Sequence, residues 1–455
     1  MNDNIKNLEG VDIVFFSGSD HYGGTDNHGL LQMFKFFKKN INKKSIFVNS
    51  LESIYSNNED IFNISGISGN IPLAYCINRK IANPNHPEHP FHFFNTEYQY
   101  ARALSNLIIQ NLPPHKFIII GDKYDLDQTI LSFIMKHFSS KVIYVSMVNN
   151  LWTGHCSYPE EHECKRYGFG SPCDRSCPAV KKHESKDIVP FITSQSMNFF
   201  KNNKNSTFVN VGNSYVLQQA EESYMCWGLE KVVIPLKTVP LVKEEYKEVR
   251  KYRQNNRKAY LQEFGITDKN VKLLMWSSYS MDNKRKGFEY FIESLKKVKE
   301  TISEQEMEKI CIILSCIPDK QNMDSFKELG IKFIETGFLN REKYTEVLSA
   351  CDAYCSTTIS DAGPRTTYES AATGTPLISF DKRNSVDFVT EKNGALVRTY
   401  NTDEYAKAIM KIVNLNELEQ EEYSENIYNS YKDLMDDEKL TDKWNKFLNK
   451  IMEKQ

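Results

Sequence analysis

Short apolar, β-branched runs alternate with longer helical patterns along most of the chain. Strands buried on both faces have such runs, and a helix between two of them is the crossover that parallel strands require. A first series predicts strands at 11–16, 45–48, 117–120 and 142–145, with helices at 27–39, 97–110 and 128–137. A second series predicts strands at 273–276, 310–315, 332–334, 353–356 and 376–379, with helices at 288–300, 341–350 and 365–373. The alternation therefore predicts an α/β fold with two parallel sheets.

The two series are separated by residues 237–256, where Pro240 and six Lys or Arg residues indicate a charged linker that leads into a helix. We predict an N-terminal Rossmann-like domain at 1–240 and a C-terminal one at 241–415, facing each other across a central cleft. The charged, amphipathic stretch 416–455 is predicted to be helical and to pack across both domains. Residues 57–92 have no clear period and are predicted to be a surface insertion.

Composition excludes several classes of protein. The chain has 57 Lys and Arg against 59 Asp and Glu, so its net charge of −2 attracts neither nucleic acid nor an anionic membrane. No targeting segment is visible, and no run of about 18 apolar residues is long enough to span a bilayer. We expect a cytoplasmic protein; peripheral attachment to the inner face of the membrane stays open.

The most informative string is 360–376, Ser-Asp-Ala-Gly-Pro-Arg-Thr-Thr-Tyr-Glu-Ser-Ala-Ala-Thr-Gly-Thr-Pro. It follows a predicted strand and opens a helix near Pro364, whose free N–H groups and partial positive charge suit a diphosphate. Glu369, further along the helix, can accept hydrogen bonds from the vicinal hydroxyls of a ribose, and Asp361 can meet a sugar hydroxyl. The alternative is that Asp361 caps the helix and Glu369 is merely solvated.

Two loops supply further candidates. Lys284-Arg285-Lys286-Gly287 follows a predicted strand and opens a helix; it is either a cationic site or a solvated basic turn. In the first domain Gly23 and Gly24 follow the first strand and permit a close approach of the backbone to a phosphate or sugar. His21 and His28 flank these glycines and are candidates for substrate contact.

Four of the ten cysteines crowd into one segment: Cys156, Cys164, Cys173 and Cys177. Four thiolates could bind one tetrahedral zinc ion, and His155 lies beside the first of them. Their x7, x8 and x3 spacing is not that of a familiar zinc ribbon or finger. A structural zinc in a Cys-rich loop at 152–178 is one prediction; reduced core thiols or a redox-labile pair are the alternatives.

The string from Asp361 to Glu369 resembles the E-x7-E region of retaining glycosyltransferases of family 4, which have the two-domain GT-B fold. The flanks Thr336-Gly337-Phe338 and Cys351-Asp352-Ala353 are similar to that family as well, and the Cys-rich loop is similar to that of one of its branches. Three departures are visible. The first acid is Asp361 rather than Glu, Met281 stands where the family usually has an Arg five residues before the lysine, and Asn149-Asn150 stand where that branch has His-Asp.

The resemblance implies catalytic roles for Asp361, Glu369 and Lys286, with Lys286 neutralising the donor diphosphate. It implies a donor-binding set consisting of Arg285, Ala362, Gly363, Pro364, Arg365, Thr375, Gly23 and Gly24, and an acceptor side formed by His21, His28 and His155. The implied reaction moves a sugar, with retention, from a nucleotide-diphosphate sugar to a hydroxyl of a glycan or lipid-linked acceptor, in polysaccharide or glycoconjugate synthesis. No cofactor is expected to be required for catalysis.

Alternatives to this prediction come from the same fold and from other classes. A phosphorylase would show a cofactor-binding lysine motif, which the sequence lacks, and an epimerase of this fold is a further candidate. A non-catalytic nucleotide-sugar-binding or scaffold subunit of a glycan assembly complex is the main alternative. A dinucleotide-dependent oxidoreductase is disfavoured because no G-x-G-x-x-G follows a predicted strand.

Overall fold

Two parallel β-sheets, each in its own unit of the chain, form the framework of this computed structural model. The structure describes residues 5–17, 29–49, 60–63, 98–121, 126, 128–146, 149–153, 158–159, 164, 173–178, 188–361 and 363–454. The first unit comprises Met1–Thr238 and Asp437–Gln455, and the second comprises Val239–Asp436. The predicted domain boundary at 240/241 lies two residues from this division, and the predicted C-terminal segment divides between the units at 436/437.

The strands are β1 Ile13–Ser17, β2 Ser45–Asn49, β3 Ile61–Asn63, β4 Phe117–Ile120, β5 Lys141–Val145, β6 Thr207–Asn210, β7 Glu230–Val232, β8 Lys272–Ser280, β9 Ile310–Ile317, β10 Lys332–Glu335, β11 Ala353–Ser356, β12 Leu377–Phe380 and β13 Gly394–Val397. The helices are α1 Gly29–Asn40, α2 Tyr98–Asn111, α3 Gln128–Phe138, α4 Ile188–Asn202, α5 Ser214–Glu222, α6 Tyr246–Glu263, α7 Phe288–Thr301, α8 Glu304–Met307, α9 Lys320–Lys327, α10 Arg341–Ala350, α11 Arg365–Ala372, α12 Thr402–Val413, α13 Glu417–Leu434 and α14 Asp437–Glu453. Short 3-10 helices occur at Ile5–Asn7, Asn149–Leu151, Tyr224–Cys226, Lys284–Lys286 and Arg383–Asp387.

The first unit has a seven-stranded sheet in the order β3-β2-β1-β4-β5-β6-β7, and its strands pair in parallel. β1, β4 and β6 are buried along their whole length, which explains their continuous apolar runs. One core cluster lies between the sheet and apolar side chains of helices that pack on it. A separate contact joins α14 to α1, where the ring of Trp444 lies 4.9 Å from that of Phe37. The parallel sheet that the sequence predicts for this unit is confirmed.

The second unit has a six-stranded parallel sheet in the order β10-β9-β8-β11-β12-β13. Its core lies between these strands and the apolar faces of α7, α9 and α12. Two arginines bind α6 to the residues just before β11. Arg253 donates to the carbonyl of Cys351 at 2.9 Å, and Arg257 donates to Asp352 at 2.8 Å. Both contacts lie at the amino end of β11. The loops of the candidate site lie at the other end, after the carboxyl ends of β8 and β11.

Several elements differ from the predicted ones. β6 and β7 were not predicted, and the 57–92 insertion contains β3 at the edge of the first sheet. The predicted continuous C-terminal helix is two helices, because the chain leaves the helix at Met435 and starts α14 at Asp437. No helix in the described ranges is both long and apolar enough to cross a membrane.

Candidate active site

The loops after β8 and β11 meet at the point where the strand order of the second sheet reverses. The chain goes from β8 outward to β9 and β10, and then returns to place β11 on the other side of β8. In open α/β sheets this reversal leaves a crevice at the carboxyl ends of the two central strands, where ligands bind. The loop after β8 carries Lys286 and the loop after β11 carries Asp361, so the topology alone brings these two predicted residues together.

The basic turn after β8 has a defined shape. Its Asn283 side chain accepts a hydrogen bond from the backbone N–H of Arg285 at 3.2 Å, which starts the 3-10 helix Lys284–Lys286. Gly287 then adopts a left-handed conformation (φ 64°) and begins α7. A Cβ at Gly287 would lie 2.3 Å from the carbonyl oxygen of Thr357, so only glycine lets the two loops approach this closely.

Backbone hydrogen bonds hold the two loops against each other. The N–H of Ile359 donates to the carbonyl of Arg285 at 2.8 Å, and the hydroxyl of Thr357 donates to the carbonyl of Lys286 at 2.9 Å. The same hydroxyl accepts the indole N–H of Trp276 at 3.0 Å, from within β8. The basic turn is therefore held in place by hydrogen bonds to the loop after β11, which is itself bonded to Trp276 in β8.

Asp361 makes ion pairs with both of the predicted cations. Its Oδ2 lies 2.9 Å from Nζ of Lys286 and 3.8 Å from Nη1 of Arg285, and its Oδ1 accepts the N–H of Gly363 at 3.2 Å. Burial favours the neutral form of this carboxyl, but Lys286 and Arg285 outweigh burial and hold the pKa of Asp361 well below its ordinary value. Asp361 is therefore an anion whose charge orients Lys286, and it does not cap α11, whose N-cap residue is Pro364.

Glu369 lies one turn into α11 and is 9% exposed, so the alternative of a merely solvated carboxylate is wrong. Its Oε1 is 3.0 Å from Nε of Arg365, at i,i+4 spacing. Burial raises the pKa of Glu369 above its ordinary value, and the cations Arg365 and Arg341 act against this rise. Nη2 of Arg365 is buried without a hydrogen-bond partner in the described part of the chain.

Hydroxyl groups from α10 and the central strands form a layer next to Glu369. Ser277 lies 2.9 Å from the hydroxyl of Tyr344 and 3.0 Å from that of Tyr354. Burial raises the pKa of both tyrosines, so they stay protonated and serve as hydrogen-bonding groups. Arg341 and Tyr344 were not predicted, since nothing in the sequence indicates that the start of α10 reaches α11.

Thr375 is a correction to the predicted donor-binding set. The residue is fully buried at the amino end of β12, on the opposite edge of the sheet from the loops of Lys286 and Asp361. Its hydroxyl donates to the carbonyl of Leu348 at 2.9 Å and accepts a hydrogen bond from Arg253 at 2.6 Å. Thr375 is therefore part of the scaffold and cannot touch a donor at the candidate site.

The remaining predicted residues are only partly described. His21, Gly23, Gly24, His28, His155, Cys156 and Ala362 lie outside the described residues. Of the other predicted zinc ligands, Cys177 is buried, while Cys164 and Cys173 are half-buried. The described cysteines do not on their own form a cluster of three His, Cys, Asp or Glu side chains that could hold a metal ion. The four-thiolate zinc site therefore stays a prediction.

Asn149, which stands in place of a histidine in the family resemblance, is fully buried in the 3-10 helix after β5. Neither atom of its side-chain amide has a hydrogen-bond partner within the described ranges. Its backbone carbonyl accepts the N–H groups of Trp152 and Thr153. The described contacts of Asn149 are thus structural ones made by its backbone.

Solved structures of similar architecture match nearly the whole chain. A glycosyltransferase from Rickettsia africae matches with a TM-score of 0.60 and 12% identity, over 98% of this chain and 100% of that chain. HepE from Anabaena, in complex with UDP and glucose, matches with a TM-score of 0.58 and 11% identity, over 97% and 100%. A TarM variant from S. aureus, in complex with fondaparinux, α-GlcNAc-glycerol and UDP, matches with a TM-score of 0.57 and 11% identity, over 97% and 100%. The two parallel-sheet α/β units thus have the GT-B fold of glycosyltransferases.

The sequence comparison finds a similarity between most of the second unit and a known family model. Residues 257–432 match the family model described as Glycosyl transferases group 1. The matched segment covers less than half of the chain and includes Lys286, Asp361 and Glu369. No curated protein matches the sequence significantly.

Proposed function

We propose that this protein is a retaining glycosyltransferase of family 4 that moves a sugar from a nucleotide-diphosphate donor to an acceptor hydroxyl. UDP is the nucleotide that we propose first, because the structures of HepE and TarM contain it. A glycan or lipid-linked acceptor in polysaccharide or glycoconjugate synthesis is the proposed second substrate. The observation that carries the proposal is the 2.9 Å contact between Lys286 and Asp361, which joins the two loops at the reversal of the strand order.

The donor diphosphate would lie between the basic turn and the start of α11. Lys286 and Arg285 supply positive charge there, and the uncapped first turn of α11 supplies free N–H groups and the positive end of a helix dipole. Nη2 of Arg365 adds a buried donor that has no hydrogen-bond partner in the described chain. These groups are sufficient to stabilise the charge of a departing diphosphate, so we propose catalysis without a metal ion.

The carboxylates would orient the two sugars of the donor. Glu369 would accept hydrogen bonds from the ribose hydroxyls, with Arg365 and Arg341 keeping it charged against the effect of burial. Asp361 and the backbone at Gly363 would meet the transferred sugar, next to the diphosphate held by Lys286. Side chains of Lys286 and Asp361 keep 19% and 18% of their surface exposed, so a ligand can reach them.

In the proposed reaction the bond between the anomeric carbon and the diphosphate oxygen breaks, and the acceptor oxygen forms a bond to the same face of that carbon. The acceptor proton passes to the departing diphosphate, which leaves as the nucleoside diphosphate. The enzyme then supplies positioning and electrostatic stabilisation, and no protein base is required. Gly23, Gly24 and the acceptor-side residues His21, His28 and His155 stay predictions, as do peripheral membrane association and the structural zinc.

A screen of nucleotide sugars tests the proposal. Binding to the native state raises its apparent stability, so UDP sugars are expected to raise Tm and to be turned over with a suitable glycan acceptor. Lys286→Ala removes a charged hydrogen bond worth about 1.5–3 kcal/mol, which is roughly a 10- to 150-fold loss of UDP affinity. Lys296→Ala is the matched control, because Lys296 is half exposed on α7 and pairs only with Glu293 among the described contacts.

Three results separate the alternatives. Transfer with an anomeric configuration equal to that of the donor, measured by NMR, supports a retaining enzyme, whereas inversion contradicts it. Binding of nucleotide sugars without turnover for any acceptor favours a scaffold subunit. Equal UDP affinity for the wild type and Lys286→Ala would show that the donor site is assigned incorrectly.

A further inference from the structure

We infer that Arg383 and Asn384 form a clamp that fixes the position of Asp361, and that they act as positioning residues for sugar transfer. Both residues lie in the 3-10 helix Arg383–Asp387, in the loop after β12. Neither was among the residues that the sequence singled out. The catalytic part of this inference depends on the proposed function, while the structural part does not.

The clamp holds both ends of the loop that carries Asp361, residues 359–364, of which Ala362 lies outside the described residues. At the start of this loop, Nη2 of Arg383 donates to the carbonyl of Ile359 at 3.1 Å. At its end, Nδ2 of Asn384 donates to the carbonyl of Pro364 at 3.3 Å. Two consecutive residues therefore bind the two carbonyls on either side of Asp361.

Asn384 also joins the clamp to the first turn of α11. The hydroxyl of Thr367 lies 3.0 Å from Oδ1 of Asn384, to which it can donate, and 2.6 Å from the carbonyl of Pro364. Asn384 and Thr367 are both fully buried, so these hydrogen bonds are shielded from water. Asn384 thus reaches the start of α11 through the carbonyl of Pro364 and the hydroxyl of Thr367, and not by capping the N–H groups of its first turn.

The backbone at Arg383 indicates that this arrangement is maintained at a cost. Arg383 has φ 67°, a left-handed conformation that is uncommon for a residue with a side chain, and it is only 1% exposed. Strained residues persist where the surrounding contacts determine their conformation, and they are frequent at functional sites. A glycine would adopt this backbone more easily but could not reach Ile359, whose carbonyl also accepts a longer hydrogen bond, of 3.4 Å, from Nζ of Lys382.

The clamp links three loops: the basic turn after β8, the loop 359–364 after β11 and the loop after β12. The carbonyl of Ile359 accepts from Arg383, while the N–H of Ile359 donates to the carbonyl of Arg285 in the basic turn. Ile359 is thus held from two sides, two residues before Asp361. Loosening one side would let Asp361 move relative to Lys286 without removing either catalytic candidate.

Hydrogen exchange of the apoprotein tests the clamp without any ligand. Arg383→Gly and Asn384→Ala are expected to raise the exchange rate of amides in peptides covering 359–367 by about tenfold or more, while the remainder of the second unit exchanges as in the wild type. Arg383→Lys keeps the charge and is expected to restore part of the protection. Ser139→Gly and Asn393→Ala are matched controls: Ser139 is an exposed residue with φ 53° in the first unit, and the buried Asn393 amide donates to the carbonyl of Phe388 instead.

Kinetics then test the catalytic part. Displacement of a catalytic group by about 1 Å can cost on the order of 100-fold in rate, so the clamp variants are expected to lose turnover by up to this factor while UDP affinity stays near that of the wild type. Arg383→Lys is expected to recover part of the turnover, as it recovers part of the protection from hydrogen exchange.

Two exchange results would overturn the clamp. One is unchanged exchange in 359–367, and the other is exchange raised throughout the second unit, as in a general loss of stability. Unchanged turnover in variants with raised exchange would overturn its catalytic role. A wild type that turns over no nucleotide sugar would instead contradict the proposed function, and the exchange result would still decide the structural inference.

Discussion

Replacing Gly287 by alanine tests whether the close approach of the two site loops is needed for activity. A left-handed alanine costs about 1–2 kcal/mol by itself. Its Cβ would also lie 2.3 Å from the carbonyl oxygen of Thr357, roughly 1 Å closer than an ordinary contact. Because this neighbour is backbone, the loop after β11 must move, and overpacking of this kind adds about 1–3 kcal/mol. We therefore expect Gly287→Ala to lower the free energy of unfolding by about 2–5 kcal/mol.

The functional consequence follows from the same displacement. A shift of about 1 Å between the loops separates Lys286 from Asp361 and is expected to reduce donor turnover by on the order of 100-fold. Gly265→Ala is the control, since Gly265 has φ 63° but nothing within 4 Å of an added Cβ. Urea unfolding and donor turnover would be measured for both variants. If Gly287→Ala were no worse than Gly265→Ala in both assays, the close approach of the two loops would not be needed for stability or activity.

Further predictions concern other parts of the molecule. Burial lowers the pKa of His115 from 6.5 to about 4, so this imidazole stays neutral in the folded state while the unfolded chain takes up a proton below about pH 6.5. The free energy of unfolding is therefore expected to fall by about 2 kcal/mol between about pH 7.5 and pH 5. Urea titrations should show this loss in the wild type and in His137→Gln, a control at an exposed histidine, but not in His115→Gln. Asn149→Leu is expected to raise the free energy of unfolding by about 1 kcal/mol, because it removes a buried amide that lacks a hydrogen-bond partner in the described chain. A free energy of unfolding below that of the wild type would show that the amide has a partner. Elemental analysis after chelator-free purification is expected to find about one zinc per chain, and a value of zero would contradict the predicted Cys-rich zinc site.

The sequence predicted the second unit better than the first, for a physical reason. The strand 353–356 was predicted at its observed bounds because it is a continuous apolar run. The helix 341–350 was predicted at its observed bounds because it is a periodic run between clear caps. β7 could not be predicted, since Glu230–Val232 is short and contains two charged residues at the sheet edge. The break between α13 and α14 was missed because the apolar pattern continues across it, while the helix ends at Met435 through its non-helical backbone angles (φ −102°, ψ 18°).

The candidate site shows the same limit. The string correctly predicted that Asp361 lies in the loop before a helix and Glu369 within that helix, because the two positions follow one strand in sequence. The same string wrongly included Thr375, since residue type does not reveal which edge of a sheet a residue occupies. Arg341 and Arg383 were missed because they lie in other elements, at the start of α10 and in the 3-10 helix after β12. The left-handed backbone of Arg383 leaves no trace in the sequence.

The position of UDP in a structure of the complex tests the central claim most directly. We predict that the diphosphate lies within hydrogen-bond distance, about 3 Å, of Nζ of Lys286 and of the first turn of α11, with the ribose hydroxyls at Glu369. UDP bound elsewhere, with Lys286 still paired to Asp361 and no phosphate beside it, would contradict the account.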